Sequence, residues 1–280
     1  MIIDARCRPP TKEFQAVFKG PALSYIMSRS GRFPDAPSHL QDSTDLFFKE
    51  MEAANISTAV AVGRVLPGGA GAVSNDHIAE LCRSYPGRVV GIGGIDTTGQ
   101  MHDPVSEVNR CIKQLGLKGV IIEPGATPRP VAFDDTSLDG VYDACMQLKA
   151  PVFLLTGPFA GPTVAYTHPS SIEKVAQKFR RLSIVCAHGC WPYVTETLAL
   201  AARYKNVYVS PDIYLFRGGG EAYVSELQQR SLQDQFLFAT AYPLAPMQEY
   251  VEAFLRLPIA SSVQDKVLRT NAQRVLSLGS

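Results

Sequence analysis

Apolar, β-branched runs punctuate the chain at residues 2–5, 57–63, 88–95, 118–123, 151–156, 182–187, 206–210 and 236–241, and each reads as a strand. Between them the apolar spacing shifts to the helical period, predicting helices over 43–54, 74–84, 104–115, 137–148, 170–179, 192–204 and 220–230, with two more at 246–255 and 262–276. Several open on Ser, Asp or Pro, which satisfy or dispense with the unpaired N–H groups of a first turn; Asp42 or Ser43 caps the first. Strands such as VFLL and SIVCA are apolar throughout rather than alternating, the pattern of parallel strands covered on both faces. Strands alternating with helices in this way predict an α/β fold of the (β/α)8 TIM-barrel type, one domain spanning 1–280. An open doubly wound sheet is the alternative, weakened because no GxGxxG turn follows the first strand. Residues 9–42 are too long for an ordinary βα connection and predict an insertion folded over the barrel as a lid, carrying Tyr25, Arg29, Arg32 and Phe33.

Composition narrows the partners. The chain holds 27 Lys and Arg against 26 Asp and Glu with no long run of one sign, so it offers no footprint for nucleic acid or a membrane surface. A small neutral or anionic molecule is the partner this balance favours. No apolar stretch approaches the roughly 20 residues of a membrane span. The N-terminus runs directly into a strand without a leader pattern, which predicts a cytoplasmic protein; six scattered cysteines with no CxxC pair read as reduced, mostly buried thiols. Homo-oligomerisation is left open.

Active sites of this barrel type gather where strands end, which directs attention to Arg6, Arg8, Arg64, Asp96, Glu123, Thr156, His188, Asp212 and Tyr242. The opening IIDARCRP, with SNDHIAELCRSYPGRVVGIGGID, GLKGVIIEP, APVFLLTGP, SIVCAHGCWPYV, NVYVSPDIY, FLFATAYP and KVLRTNAQRVL, resembles the amidohydrolase superfamily. The branch it resembles includes aminocarboxymuconate semialdehyde decarboxylase and lactone or dicarboxylate hydrolases. That resemblance implies acidic substrates and a divalent metal held by two histidines of the first strand, histidines after the fifth and sixth, and an aspartate after the eighth. Here the first pair is Arg6 and Arg8, the fifth-strand position is Leu155, and the eighth-strand Ser-Asp-Tyr-Pro reads Thr240, Ala241, Tyr242, Pro243. Only His188 survives. Arginines donate hydrogen bonds and cannot ligate a cation, so the inherited metal site is dismantled and no cofactor is expected. A site rebuilt from His188, Glu123, Asp212 and Cys7 or Cys190 is the alternative.

Residues two apart on a strand share a face, so Asp4, Arg6 and Arg8 are expected to point together into the barrel mouth. Buried guanidiniums there require anions: either Asp4, Glu123 and Asp212 neutralise them, or they grip a substrate carboxylate with their planar forks. The functional reading is a metal-independent hydrolase that opens a lactone or activated ester of a small carboxylated compound. In it His188, with Glu123 or Asp212, activates water, while Arg6, Arg8, Arg64, Arg217, Trp191 and Tyr242 bind substrate. The alternatives are a decarboxylase or isomerase of a small keto or enol acid, and a non-catalytic carboxylate-binding barrel.

Overall fold

The computed structural model describes residues 1–30, 33–67, 71–229 and 231–279. Arg32, Arg230 and part of the glycine-rich run after the second strand lie outside them. Seven strands, β1 (Ile2–Cys7), β2 (Ile56–Val62), β3 (Val89–Ile95), β4 (Val120–Ile122), β5 (Val152–Leu155), β6 (Ile184–Ala187) and β7 (Val207–Ser210), pair in chain order, each parallel to the next. Helices cover the sheet between them, among them Thr44–Ala53, Asn75–Ser84, Pro169–Lys178 and Val194–Arg203. Ser43 caps the first of these, its hydroxyl accepting from the Leu46 N–H at 3.1 Å.

The eighth stave is not a regular strand. Its backbone still bridges the two edges: Leu237 N–H donates to the Val209 carbonyl at 2.9 Å, and Ala5 N–H donates to the Phe238 carbonyl at 2.9 Å. Regularity is lost because its donors go elsewhere, Phe238 N–H to the Val267 carbonyl and Thr240 N–H to the Asp4 carboxylate at 3.0 Å. The barrel therefore closes partly through a buried carboxylate.

One register irregularity decides where the site can form. Asp4 pairs with Ala59, yet Cys7 rather than Arg6 pairs with Ala61, so β1 carries an extra residue between them. Ile3 and Ala5 pack in the barrel interior with Val60, Val62, Phe153 and Leu237, whereas Ile2 and Cys7 pack in the outer layer. The bulge returns both Arg6 and Arg8 to the cavity side and leaves Asp4 out of it. Asp4 does not share the arginines' face, contrary to the simple alternation rule; its carboxylate accepts from Thr240 Oγ1 at 2.5 Å and from the Arg6 backbone N–H at 3.2 Å.

The insertion forms helices Lys12–Phe18 and Pro21–Ser30 and a short turn of helix, Pro37–Leu40. A two-residue ribbon, Arg64–Val65 against Ala72–Val73, follows β2. It lies so close to β3 that a Cβ at Gly94 would sit 2.9 Å from the Arg64 nitrogen, which is why that strand carries glycine there. Five of the six cysteines are buried and all are free. Among the described residues no helix is long and apolar enough to cross a membrane.

Since Thr240 holds the carboxylate that joins the barrel's edges, Thr240→Val should cost about 2 kcal/mol, the scale of a hydrogen bond to a buried charged group. Urea denaturation should show a lower midpoint at unchanged slope, with Thr240→Ser recovering most of the loss.

Candidate functional site

Arg6, Arg8, Arg64, Glu123 and His188 line one cavity at the strand ends. Phe18 and Ile26 of the insertion, Leu155, Gly157, Phe159, Ala160, Tyr214 and Leu244 complete its wall. The polar groups lie among these apolar surfaces, the composition of a small-molecule pocket.

Two of the three arginines have a protein anion. Arg6 Nη1 lies 3.2 Å from Asp212 Oδ2, with the two side chains 2% and 0% exposed, and Arg64 Nη1 lies 3.2 Å from Glu123 Oε2. Arg8 is 3% exposed, and its Nε and Nη2 find no partner among the described residues. Its guanidinium sits 5.4 Å from the centre of the Phe18 ring, a cation–π contact that softens but does not replace an anion. Burial and then the neighbouring Arg6 charge push the Arg8 pKa well below its ordinary value, Arg64 adding to this while Glu123 and Asp212 oppose it. Three cations against two carboxylates leave a formal excess of one positive charge. Both Glu123 oxygens also lack a hydrogen-bond donor among the described residues.

His188 is held from behind. Its Nδ1 lies 2.8 Å from Asp212 Oδ1, so the neutral ring donates from Nδ1 and keeps the lone pair on Nε2. Burial, then the Arg6 charge, lower its pKa; contact with Asp212 opposes the shift without reversing it. Asp212 thus joins Arg6 and His188. It is buried behind the cavity rather than in its wall, and the Tyr250 hydroxyl bonds its backbone carbonyl.

Both residues sit in left-handed backbone, His188 at φ 70° and Asp212 at φ 41°, a conformation costly for non-glycine residues and common at functional sites. Neighbours enforce it: Cys190 N–H donates to Thr156 Oγ1 at 2.9 Å, and the Tyr223 hydroxyl donates to the Gly189 carbonyl at 2.5 Å. Gly157 leaves the ring its room, since a Cβ there would come within 2.8 Å of His188 Cδ2.

Three expected substrate-binding residues are not among the cavity-lining residues. Tyr242 is buried in the outer layer, its hydroxyl 2.7 Å from Ser38 Oγ and its ring against Phe47. Trp191 stacks on the far side of Tyr214, ring centres 5.2 Å apart, and donates to the Gly218 carbonyl. Arg217 covers Trp191 and Tyr214 and donates to the Arg29 carbonyl at 2.8 Å, tying the insertion to that aromatic wall. Asp96 binds its own loop through the Thr98 and Met101 N–H groups. The apolar members, Phe18, Ile26, Phe159 and Leu244, escaped sequence reasoning because an apolar lining residue and a core residue look alike before the fold is known.

The donor set does not suit the metal that the family resemblance implies. Arg6, Arg8, Leu155 and Ala241 stand where ligands would, and both Asp212 oxygens are engaged by Arg6 and His188. The rebuilt site fails too, since Cys7 packs in the outer layer and, among the described residues, no three His, Cys, Asp or Glu side chains converge.

A depressed His188 pKa fixes the sign of a pH effect. The unfolded chain takes up its proton first, near pH 6.5, so stability is full above that value and falls as pH drops through the window toward the folded pKa. Histidine-labelled NMR should place the His188 midpoint below 6.5 with the Nδ1–H tautomer at neutral pH, and His188→Asn should flatten the loss of stability between pH 7 and 5.

Comparison with known proteins now adds a family to this geometry. Over 80 residues the chain is 35% identical to the 2-amino-3-carboxymuconate-6-semialdehyde decarboxylase of Dictyostelium discoideum, a stretch that is 29% of this chain and 21% of that protein, so the match spans about a fifth of the curated relative. An uncharacterized TIM-barrel protein from Bordetella bronchiseptica superposes with a TM-score of 0.90 at 37% identity, covering 99% of this chain and 98% of that one. The 2,6-dihydroxybenzoate decarboxylase from Rhizobium shares the fold at a TM-score of 0.70 and 17% identity, with 99% and 98% covered. Residues 3–278 match the amidohydrolase family model, and the chain belongs to that family.

Proposed function

We propose that this protein decarboxylates a small hydroxy-substituted aromatic or enolic carboxylate, with fixed guanidinium groups supplying the positive charge. The observation that carries this reading is the buried Arg8, whose Nε and Nη2 have no hydrogen-bond partner among the described residues, beside an imidazole whose rear nitrogen is committed to Asp212. The names of two relatives support it: the Dictyostelium protein and the Rhizobium structure are both named decarboxylases. Lactone hydrolysis, the first expectation, has no counterpart among these relatives, and the reading kept as its alternative takes its place.

The chemistry must remove a carboxylate as CO2 and put a proton on the carbon it leaves. Neutral His188 takes the hydroxyl proton of the bound monoanion at Nε2, giving a phenolate or enolate oxygen beside the carboxylate. The imidazolium returns that proton to the carbon bearing the carboxylate. The carbon–carbon bond then breaks, CO2 departs, and the electron pair restores the ring or enolate, which is neutralised by a solvent proton. The balance is one carboxylate and one proton in, one C–H bond and one CO2 out.

Binding the carboxylate tightly stabilises only the ground state; rate comes from cations on the adjacent oxygen, whose charge outlasts CO2. Arg8, with Arg6 beside it, provides that charge, and Asp212 holds His188 in the required tautomer. Phe18 and Ile26 bring the insertion over the chamber as a lid that excludes water.

A panel of hydroxybenzoates and enol acids, followed by 13C NMR of the carboxyl-labelled compounds, should release labelled CO2. Arg8→Met should lower kcat/KM for the active compound roughly 100-fold or more, the scale of losing one oxyanion donor. Ring opening of a lactone without CO2 from any acid would contradict the proposal.

A further inference from the structure

Beyond the chamber lies a second depression, an open groove of about 710 Å³ lined in part by Leu66, Ala126, Pro130 and Pro162. It shares Ile26, Arg64 and Phe159 with the chamber, so the two spaces meet at those side chains. Arg64 is the one charged residue common to both. It is 9% exposed; Nη1 faces Glu123 on the chamber side, and Nε has no partner among the described residues. A guanidinium this deeply buried with an idle donor is costly unless something else accepts from it.

The groove itself is built with care. A Cβ on Gly125 would lie 2.2 Å from the Ala160 carbonyl oxygen, and one on Gly161 would lie 2.5 Å from the Tyr166 ring. Both glycines let the loops after β4 and β5 pack tightly beneath a groove whose lining is mainly apolar, with Thr127 its uncharged polar side chain. A cation at the neck of an apolar groove matches a ligand arm that ends in, or passes through, an acceptor at that neck.

We infer that Arg64 and the groove beyond it form a specificity subsite for a second acidic substituent of the substrate, placed on an arm that leaves the reacting ring between Ile26 and Phe159. This rests on the decarboxylase reading for the chamber and extends it: Arg8 serves the reacting end, and Arg64 selects molecules carrying a further carboxylate. Arg64 is here a binding residue and takes no part in the proton transfers.

Three probes separate the possibilities by calorimetric binding to the whole protein: 2-hydroxybenzoate, its 5-carboxymethyl derivative, and its 5-propyl derivative. The diacid should bind about tenfold more tightly than 2-hydroxybenzoate, as one added charge-assisted contact allows. The uncharged propyl arm should gain less. Arg64→Met should reduce the diacid's advantage to less than about twofold. Ala126→Trp, which fills the groove rim and leaves Arg64 and Glu123 in place, should do the same while leaving 2-hydroxybenzoate affinity unchanged, and it carries the test should the Arg64 variant fold poorly. Equal affinity of monoacid and diacid, or an advantage that survives Ala126→Trp, overturns the subsite and leaves the chamber reading intact. Failure of all three probes to bind overturns both.

Discussion

A guanidinium taken out of water costs several kcal/mol unless an anion stands beside it, and this barrel places three at one mouth with two carboxylates to meet them. The rest of the site follows from how that imbalance is managed. Asp212 is spent on Arg6 and His188 together, Glu123 goes to Arg64, and Arg8 is left with an aromatic face. In the proposed reading this cavity attracts a small anion, and the apolar wall from Phe18, Ile26 and Leu155 accepts the body that carries it.

The imidazole answers to burial first and to this imbalance second: both favour the neutral ring of His188, and in the proposed reaction that neutral ring is the base. The left-handed backbone at His188 and Asp212 shows that the fold spends stability to hold the pair in this relation. Thr156, Tyr223 and Tyr250, all buried, brace the turns from behind.

Much of this was legible in the residues. The barrel could be read from alternating runs, and the chemistry-bearing positions at strand ends include five that line the cavity, because barrel topology alone brings strand ends together. The failures have local causes. Asp4 was placed with the arginines because alternation assumes an unbroken ladder, and a one-residue bulge before Cys7 is invisible in composition. Tyr242 stands at a strand end as counted, yet the eighth stave leaves the ladder there and turns its ring outward to Phe47. Trp191 and Arg217 fell one layer short, behind Tyr214, a distinction that only packing makes. Phe18 and Ile26 depended on how the insertion folds back, and that is a tertiary matter.

The most direct test of the account is a crystal structure of the protein with 5-bromo-2-hydroxybenzoate, the bromine marking the ligand by anomalous scattering. The account places the ligand in the chamber with its anionic oxygens at hydrogen-bonding distance from Arg8 Nε or Nη2 and its ring against Phe18 and Leu155. A coordinated cation between Arg6 and Arg8, or a ligand bound with Arg8 still lacking an anionic partner, would contradict it.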